Sequence, residues 1–449
     1  MTLTGTLSPS IRILDGGSPR LLAGIGSLDP ESLPAARELG GYAGLSNALG
    51  EGAAWLTDEV DAAGLRGRGG AGYPTAAKWR VAQAADGARK VVVANLMGAD
   101  PTSLGDRALA EGNPHLIVEG VVLTAFAVGA SEGIIAVRRD WTDAVDRLER
   151  AVAEAVEAQL AGYLVGGTEF SVQLSVHQGS GAYVAGEETA LLAALSGDRG
   201  MPLIRPPYPA VRGLGGAPTV IQNGETLAHV AWIAAHGAKA FRVVGTVDSP
   251  GTKLVSIAGA VRQAGVAEVA LGTSLADILK LAGGSTGTAK AAFVGGPGAG
   301  ALRADEFKRT TYDFESLAAA GAHIGSGSVL IADNASCMVA TARFLLDFSA
   351  REACGKAVPC RIGTRRLVEA LDRILAATPR PADLTLLREL SAKVADTALC
   401  RLESLAPRPM LTTLDRWEDE YRAHAERGIC PAGACSGDAV VPLLSPLSA

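Results

Sequence analysis

The sequence predicts an α/β chain in three parts: an α/β sandwich, a small β-grasp-like unit and a C-terminal α-helical bundle. Three observations carry that prediction. Apolar strand-like runs alternate with helical periodicity up to about residue 245, the pattern of layered α/β domains. From Lys253 onward two strand-like runs precede one short helix. Beyond about residue 336 the periodicity is helical.

The elements follow in order. Residues 1–45 are rich in Leu, Pro and Gly without steady periodicity and read as an extended arm, with a short helix near Glu31–Leu39. Ala53–Val60 reads as helix. Lys90–Ala94 is a buried strand ending at Asn95, Pro114–Val128 a buried helix and Ile134–Val137 another strand. Val145, Leu148, Val152 and Val156 mark an amphipathic helix over 142–161, and Phe170, Val172, Leu174 and Val176 alternate as a strand. Val255–Val261 and Val266–Leu271 are strands, and Ser274–Ala282 is a helix stopped by Gly283 and Gly284. Val294–Gly300 is a glycine turn, with an anion loop as its second reading. Leu367, Leu371, Ile374 and Leu375 line one helix, Leu384, Leu387, Leu390 and Val394 a second, and Leu411, Leu414, Trp417 and Tyr421 a last one. The expected division is arm 1–45, α/β domain 46–245, β-grasp-like unit 250–335, bundle 336–425 and tail 426–449.

Composition bounds the function. A chain of 449 residues suits about three domains. Lys+Arg number 41 against 47 Asp+Glu, a formal net charge of −6 without like-charge blocks, which argues against nucleic acid as a partner. The start, Met1–Leu7, lacks the features of a signal peptide. The longest apolar run, Leu116–Ile135, is broken by Glu119 and Glu132, so no membrane span is expected. Six cysteines in so long a chain do not suggest a disulfide scaffold. A soluble cytoplasmic protein is expected.

The chemistry centres on Gly64–Trp79, where Gly64–Gly72 packs five glycines and two arginines into nine residues. Glycines let backbone N–H groups approach an anion, and a following helix adds a favourable dipole. Arg68 and Lys78 add charge, and Tyr73 offers a ring for stacking. Gly67-x-Gly69-x-x-Gly72 fits the dinucleotide fingerprint, but a helix precedes it and no acidic residue stands about 20 positions on, so an ordinary Rossmann site is rejected. Gly186-Glu187-Glu188 could bind ribose hydroxyls or cap a helix. Arg205–Pro209 presents Tyr208 from a rigid loop or is a polyproline connector. Pro218–Thr226 could offer amides to a phosphate or start a capped helix at Asn223. Cys354, Cys360 and Cys400 are either cluster ligands or buried helix thiols.

Together these stretches resemble the NADH- and FMN-binding subunit of respiratory complex I, a family that includes diaphorase subunits of NAD-linked hydrogenases and formate dehydrogenases. The resemblance runs from about residue 20 to 425. It implies a Rossmann-like flavin-binding α/β domain, a β-grasp (SLBB-like) domain and an iron–sulfur-binding bundle. It implies FMN contacts from Gly67, Arg68, Gly69, Gly70, Asn95 and Asn223, with Lys78 near the phosphate. Tyr73 and Tyr208 would sandwich the nicotinamide nucleotide, and Gly186, Glu187 and Glu188 would touch flavin and NADH. Cys354, Cys360 and Cys400 would hold a 4Fe-4S or 3Fe-4S cluster. The implied function is NADH oxidation through FMN and that cluster to a ferredoxin or a thioredoxin-like iron–sulfur small subunit.

Two departures bear on that function. The family turn Asn-Ala-Asp-Glu-x-Glu-Pro-Gly reads Asn95-Leu96-Met97-Gly98-Ala99-Asp100-Pro101-Thr102, so Met97 and Gly98 replace acids. Ala357 stands where the family places a second cysteine. These motivate an alternative, a non-catalytic or cluster-less paralogue acting as a binding subunit. Cys430 and Cys435 in the tail read as a free or lightly oxidised pair, or as a thiolate donor folding back onto the cluster.

Overall fold

A computed structural model describes residues 6–8, 11–27 and 29–435. Residues 1–5 of the expected arm and 436–449 of the expected tail lie outside the described residues. The arm is strapped down rather than extended. After the short antiparallel pair β1 (Thr6–Ser8) and β2 (Ile11–Arg12), Leu14 N donates to Val266 O at 2.8 Å. The buried Glu268 carboxylate accepts from the backbone N–H groups of Arg20, Leu21 and Leu22. Three short helices follow: α1 (Leu33–Glu38), α2 (Ala43–Glu51) and α3 (Ala53–Ala62). The expected boundary at residue 45 therefore falls inside α2.

The glycine loop then opens α4 (Thr75–Ala84). Next comes a fully parallel sheet: β3 (Val91–Leu96), β4 (Glu132–Arg138), β5 (Gln173–Gly179) and β6 (Thr219–Asn223), in the spatial order β5-β4-β3-β6. The connections carry α5 (Gly105–Gly112), α6 (Pro114–Val128), α7 (Thr142–Glu157) and α8 (Glu188–Leu195), and α9 (Gly224–His236) and α10 (Ala238–Phe241) follow β6. Local chemistry sets several ends. Asn113 caps α6 by accepting from Leu116 N, Pro114 sits in its first turn, and Gly129 ends it at φ +70°. Alternation along β3 sends Val92, Ala94 and Leu96 to one core and Val91, Val93 and Met97 to the opposite one. Both faces of the sheet are covered, as parallel sheets require. The chain builds outward from β3 to β5 and then returns to place β6 on the other side of β3. The order thus reverses between β3 and β6, the position where open α/β sheets bind ligands beyond their strand ends.

The second sheet is formed by β7 (Thr252–Gly259), β8 (Gly265–Ala270), β9 (Ala289–Val294), β10 (Gly300–Arg303) and β11 (Ser328–Asp333), in the order β10-β9-β11-β7-β8. Its first and last strands, β7 and β11, are central neighbours and parallel, and the other pairs are antiparallel. α11 (Leu275–Leu281), α12 (Ala304–Phe307) and α13 (Phe314–Ala319) connect the strands. The glycine turn at 294–300 links β9 to β10, with Gly296 packed so tightly that an added Cβ would lie 2.2 Å from Asp100 Oδ2.

Helices complete the described chain: α14 (Met338–Arg351), α15 (Thr364–Leu375), α16 (Asp383–Asp396), α17 (Arg401–Leu405), α18 (Arg408–Arg416) and α19 (Glu418–Arg427). Leu367, Leu371, Ile374 and Leu387 are buried together as their spacing predicts. The single last helix expected around Leu411–Tyr421 is instead two. α18 closes with Trp417 N on Thr413 O, and Glu420 N takes Trp417 O to begin α19. Tyr421 packs back, its hydroxyl 2.7 Å from Thr413 Oγ1.

A buried charge network joins the two sheets. Lys253 on β7 and Glu225 in the first turn of α9 are both sealed from water and form an ion pair. Lys253 Nζ also donates to Leu254 O and Ser326 O, while Leu254 N donates to the second Glu225 oxygen at 2.8 Å. Breaking one side of a buried pair leaves an uncompensated charge at a cost of about 3–5 kcal/mol. Lys253→Met should destabilise the cofactor-free chain by that order, and Glu225→Gln added to it should recover part of the loss. Urea unfolding followed by tryptophan fluorescence measures both.

Candidate cofactor cleft and metal centres

The glycine loop arrives at the reversal point between β3 and β6. It closes on itself through Gly67 N to Tyr73 O at 2.9 Å and Thr75 N to Leu65 O at 2.9 Å. Gly69 lies against Asn223, where an added Cβ would sit 3.2 Å from the Asn223 Cβ. Gly70, at φ +114°, packs on the backbone of Gly325. Only glycine permits both the approach and that dihedral.

Most of the expected residues meet here. Asn95, at the end of β3, directs its amide toward Ala185 O and Gly186 O at 3.5 and 3.4 Å. Lys78, one turn into α4, holds Ile221 O at 3.0 Å and Glu188 at 3.1 Å. Glu188 also pairs with Arg205 at 3.1 Å, and Arg205 lies 6.0 Å from the ring centre of Tyr208. Lys78, Glu188, Arg205 and Tyr208 thus form one continuous chain along the cleft. Tyr73 and Tyr208 are both more than half exposed, leaving their ring faces available for stacking.

Glu187 and Asn223 carry helix caps. Glu187 accepts from Thr189 N and Ala190 N at 2.9 Å, and Asn223 Oδ1 accepts from Glu225 N at 3.1 Å. The Asn223 amide is fixed from behind by Asp106, 2.6 Å away. Burial, with Glu225 nearby, pushes the Asp106 carboxyl up to about 6.

The resemblance implies an FMN contact from Arg68, and its side chain does not face the cleft. The guanidinium is instead buried and turned away, donating to Thr252 O at 3.0 Å, Arg66 O at 3.0 Å and Pro250 O at 2.8 Å. Its backbone N–H is also taken, by Thr226 Oγ1 at 2.8 Å. Arg68 fastens the loop to β7. Met97 and Gly98 likewise have packing roles. Met97 is buried against Gly179, where an added Cβ would meet its Cε at 2.1 Å. Gly98 lies under Trp141, whose ring would be 2.1 Å from a Cβ.

Two buried polar groups beside the glycine loop are left for a ligand or water to meet. Thr75 Oγ1, in the first turn of α4, and Gln222 Nε2, near the end of β6, are buried with no protein partner. Such orphans are costly unless a ligand or water meets them. The N-terminus of α4 has no side-chain cap and favours an anion, whereas that of α9 is already capped by Asn223 with Asp106 behind it. The sequence marks Gln222 as standing where the resembled family usually has Asn, in a stretch able to offer amides, but it gives Thr75 no role, although Thr75 lies inside the glycine-loop motif.

Cys354, Cys360 and Cys400 line one cavity with Ala357, Tyr183 and Glu403. Burial pushes the thiols of Cys360 and Cys400 up, to about 12 and about 11. Among the described residues, these thiols do not belong to any set of side chains drawn within 4.8 Å of one another. All three line the same cavity, and thiolates are the ligands that iron–sulfur clusters use. The cavity touches the cleft through one turn. Tyr183 and Val184 line it, and Tyr183–Gly186 runs directly into Glu187 and Glu188. Arg199 to Cys354 O at 3.2 Å, Lys356 to Pro202 O at 2.7 Å and Tyr183 N to Glu352 at 3.1 Å tie the two regions together.

The tail cysteines are neither a disulfide nor partners of that cavity. Cys430 and Cys435 gather with Cys337 and His424 so that all four ligand atoms lie within 4.8 Å of one another. Cys337 Sγ is 3.3 Å from His424 Nε2. A compact Cys₃His set is the donor composition of closed structural zinc sites. The signal available in the sequence is His424 followed closely by Cys430 and Cys435; Cys337 is distant and is added only by the fold.

A parallel α/β sheet with a ligand-binding reversal point, joined by a shared turn to a cysteine-lined cavity, defines a protein with two adjoining sites, one suited to a nucleotide and one to a thiolate-bound centre. Comparison with known proteins places the chain within that class. Residues 60–232 match the Nuo51 FMN-binding domain, and residues 340–424 match the NADH-ubiquinone oxidoreductase-F iron-sulfur binding region. The chain is 42% identical over 92% of its length to the NADP-reducing hydrogenase subunit HndC of Solidesulfovibrio fructosivorans, covering 84% of it. It is 38% identical over 92% of its length to an NADH-quinone oxidoreductase subunit of Rhizobium meliloti, covering 99% of that protein. The crystal structure of an NAD+-reducing [NiFe]-hydrogenase in the H2-reduced state superposes with a TM-score of 0.82 at 30% identity, over 94% of this chain and 69% of that one. The chain belongs to the family of NADH-oxidising, FMN-binding oxidoreductase subunits, flavoproteins that use FMN and iron–sulfur chemistry. Among the described residues no helix is long and apolar enough to cross a membrane.

The geometry has two measurable consequences. Asp106 binds its proton more tightly in the fold than in the unfolded chain, so its contribution to stability is full below about pH 4 and is lost as pH rises through about 6. Asp106→Asn should flatten that part of the profile of melting temperature against pH. Metal analysis should find about one zinc per chain, removed by Cys430→Ser/Cys435→Ser with flavin content unchanged.

Proposed function

We propose that residues 46–245 bind FMN and NADH at the β3–β6 reversal, with the glycine loop under the flavin phosphate. In this reading backbone N–H groups of Gly69 and Gly70 cradle the phosphate while Gly67, whose N–H is held by Tyr73 O, shapes the loop, with Lys78, Asn95, Thr75 and Gln222 around it. Asn223 and Asp106 hold the far side of the loop. Tyr73 and Tyr208 clamp the nicotinamide nucleotide, and Gly186, Glu187 and Glu188 border both ligands. Bound FMN supplies the hydride acceptor for NADH and a one-electron donor for an iron–sulfur cluster. The protein's part is to hold the two rings in register and keep water out. No side chain is required to move a proton for the hydride step.

The second sheet is read as a β-grasp (SLBB-like) domain, supported by its central parallel pair of first and last strands. The helices after Cys337 are read as the cluster-binding bundle, with Cys354, Cys360 and Cys400 as ligands. The observation that carries the electron path is the Tyr183–Gly186 turn, which borders both the cleft and the cysteine cavity. The named relatives are subunits of larger enzymes. The partner proposed here is a ferredoxin or a thioredoxin-like iron–sulfur small subunit, in the cytoplasm.

The test is reconstitution with FMN, iron and sulfide, followed by NADH oxidation with ferricyanide as acceptor. Activity dependent on FMN is expected, and stoichiometric failure to bind FMN would overturn the reading. Gly69→Val should abolish flavin binding, because the new side chain meets Asn223. Tyr73→Ala should raise KM for NADH about tenfold with kcat nearly kept, the loss of one stacking contact worth about 1–1.5 kcal/mol.

A further inference from the structure

The cysteine cavity has three thiols and a gap. The family's second cysteine is Ala357, whose methyl group cannot ligate iron, and Ala357 lines the cavity with Cys354, Cys360 and Cys400. One more side chain with a metal-binding atom lies on the same wall. Glu403 is in the first turn of α17, three residues past Cys400, and is 4% exposed. One of its carboxylate oxygens, Oε2, accepts from Leu399 N at 2.9 Å. The other, Oε1, is buried and makes no bond of ordinary hydrogen-bond geometry, although the backbone N–H groups of Cys360 and Cys400 also act on the carboxylate.

Helix capping accounts for Oε2 alone. An acidic residue in the first turn is favoured by the helix dipole and by the free N–H groups there. Oε1 takes no part in that arrangement. A carboxylate oxygen deprived of water and left unpaired is disfavoured, and buried orphans of this kind call for a ligand or ion. Here the orphan shares a cavity with three cysteines arranged for a cluster and one missing ligand. Carboxylate oxygen is an established donor to protein-bound iron, and non-thiolate residues can replace cysteine at individual irons of a cluster.

We propose that Glu403 is the fourth protein ligand of the iron–sulfur centre, replacing the cysteine absent at Ala357. The inference rests on the proposed reading of this cavity as a cluster site. Three irons would be anchored by Cys354, Cys360 and Cys400 and the fourth by Glu403 Oε1. The fourth iron, on the harder oxygen ligand, is then the one most easily lost.

The experiment compares anaerobically reconstituted full-length wild type with Glu403→Ala, Glu403→Gln, Glu403→Cys and the control Cys354→Ser/Cys360→Ser. Iron and sulfide are counted, and electron paramagnetic resonance is recorded in oxidised and reduced samples. Iron assigned to the cavity is the difference from the cysteine control. Wild type is expected to hold a four-iron centre. Glu403→Ala and Glu403→Gln should fall to three irons and show the signal of an oxidised three-iron cluster. Glu403→Cys should keep four irons with an altered reduced spectrum. Four irons with unchanged spectra in both Glu403→Ala and Glu403→Gln would overturn the proposal. So would a wild type that already holds three irons, while the cluster reading would survive. Equal iron in wild type and the cysteine control would overturn the cluster reading itself. FMN content, measured in every sample, shows whether each variant is folded.

Discussion

The buried pair of Lys253 and Glu225 is the constraint on which the cleft depends. The glycine loop has few side chains of its own with which to hold a shape. It is fixed from outside, by Thr226 beside Glu225 and by the carbonyls of Pro250 and Thr252 beside Lys253. Both supports are set by the ion pair, which locks the start of α9 to β7. A charge pair sealed from water seldom adds net stability over an apolar equivalent. What it supplies here is registry: Leu254 N and Ser326 O are held to the same two side chains. Ser326 in turn donates to Asp100 at 2.6 Å, so the turn after β3 is tied into the same network. The second sheet is therefore the scaffold of the loop.

That dependence on distant supports separates what is legible in the sequence from what is not. β3, α6 and α7 are legible because each is defined by its own local pattern, with Asn113 and Gly129 marking the ends of α6. The strand order is not, since β6 reaches β3 only after two excursions outward. The arm reads as extended because its anchor, Glu268, is more than 240 residues away. The break at Trp417 is hidden because Leu411, Leu414, Trp417 and Tyr421 keep helical spacing across it. Arg68 is legible as important but not in its role. A guanidinium among glycines suits phosphate or backbone carbonyls equally, and the carbonyls it takes lie 182 and 184 residues on. Ala357 is visible as a gap in a motif, whereas the orphaned oxygen of Glu403 exists only in three dimensions.

The remodelled turn at Met97 and Gly98 is coherent packing. Met97 fills space that any side chain at Gly179 would occupy, and Gly98 admits the ring of Trp141. Arg138, which donates to Gly98 O at 2.9 Å, is neutralised by Asp140. The change from acidic to apolar residues removes charge from the turn while leaving Asn95 aimed at the Gly186 segment and Asp100 in its network. Asn95 and Asp100 thus keep their places in a turn that has lost the acids at positions 97 and 98.

The same economy applies to the electron path. Two redox groups exchange electrons usefully only if their separation is fixed, and a flexible hinge between cleft and cysteine cavity would defeat that. Tyr183–Gly186 avoids the problem by belonging to both. One end borders the cavity, where Tyr183 packs edge-on against Phe348 at 5.3 Å. The other end becomes the cap of α8, where Glu187 takes two backbone N–H groups. Glu352, Arg199 and Lys356 add three bonds between the helical region and the segments flanking α8. Each partner in those bonds is a backbone group, so the tie does not depend on two side chains finding each other. The two regions are held by the shared turn and by these three side-chain-to-backbone bonds, and Met97 and Ala357, which take no part in them, can vary without loosening the tie.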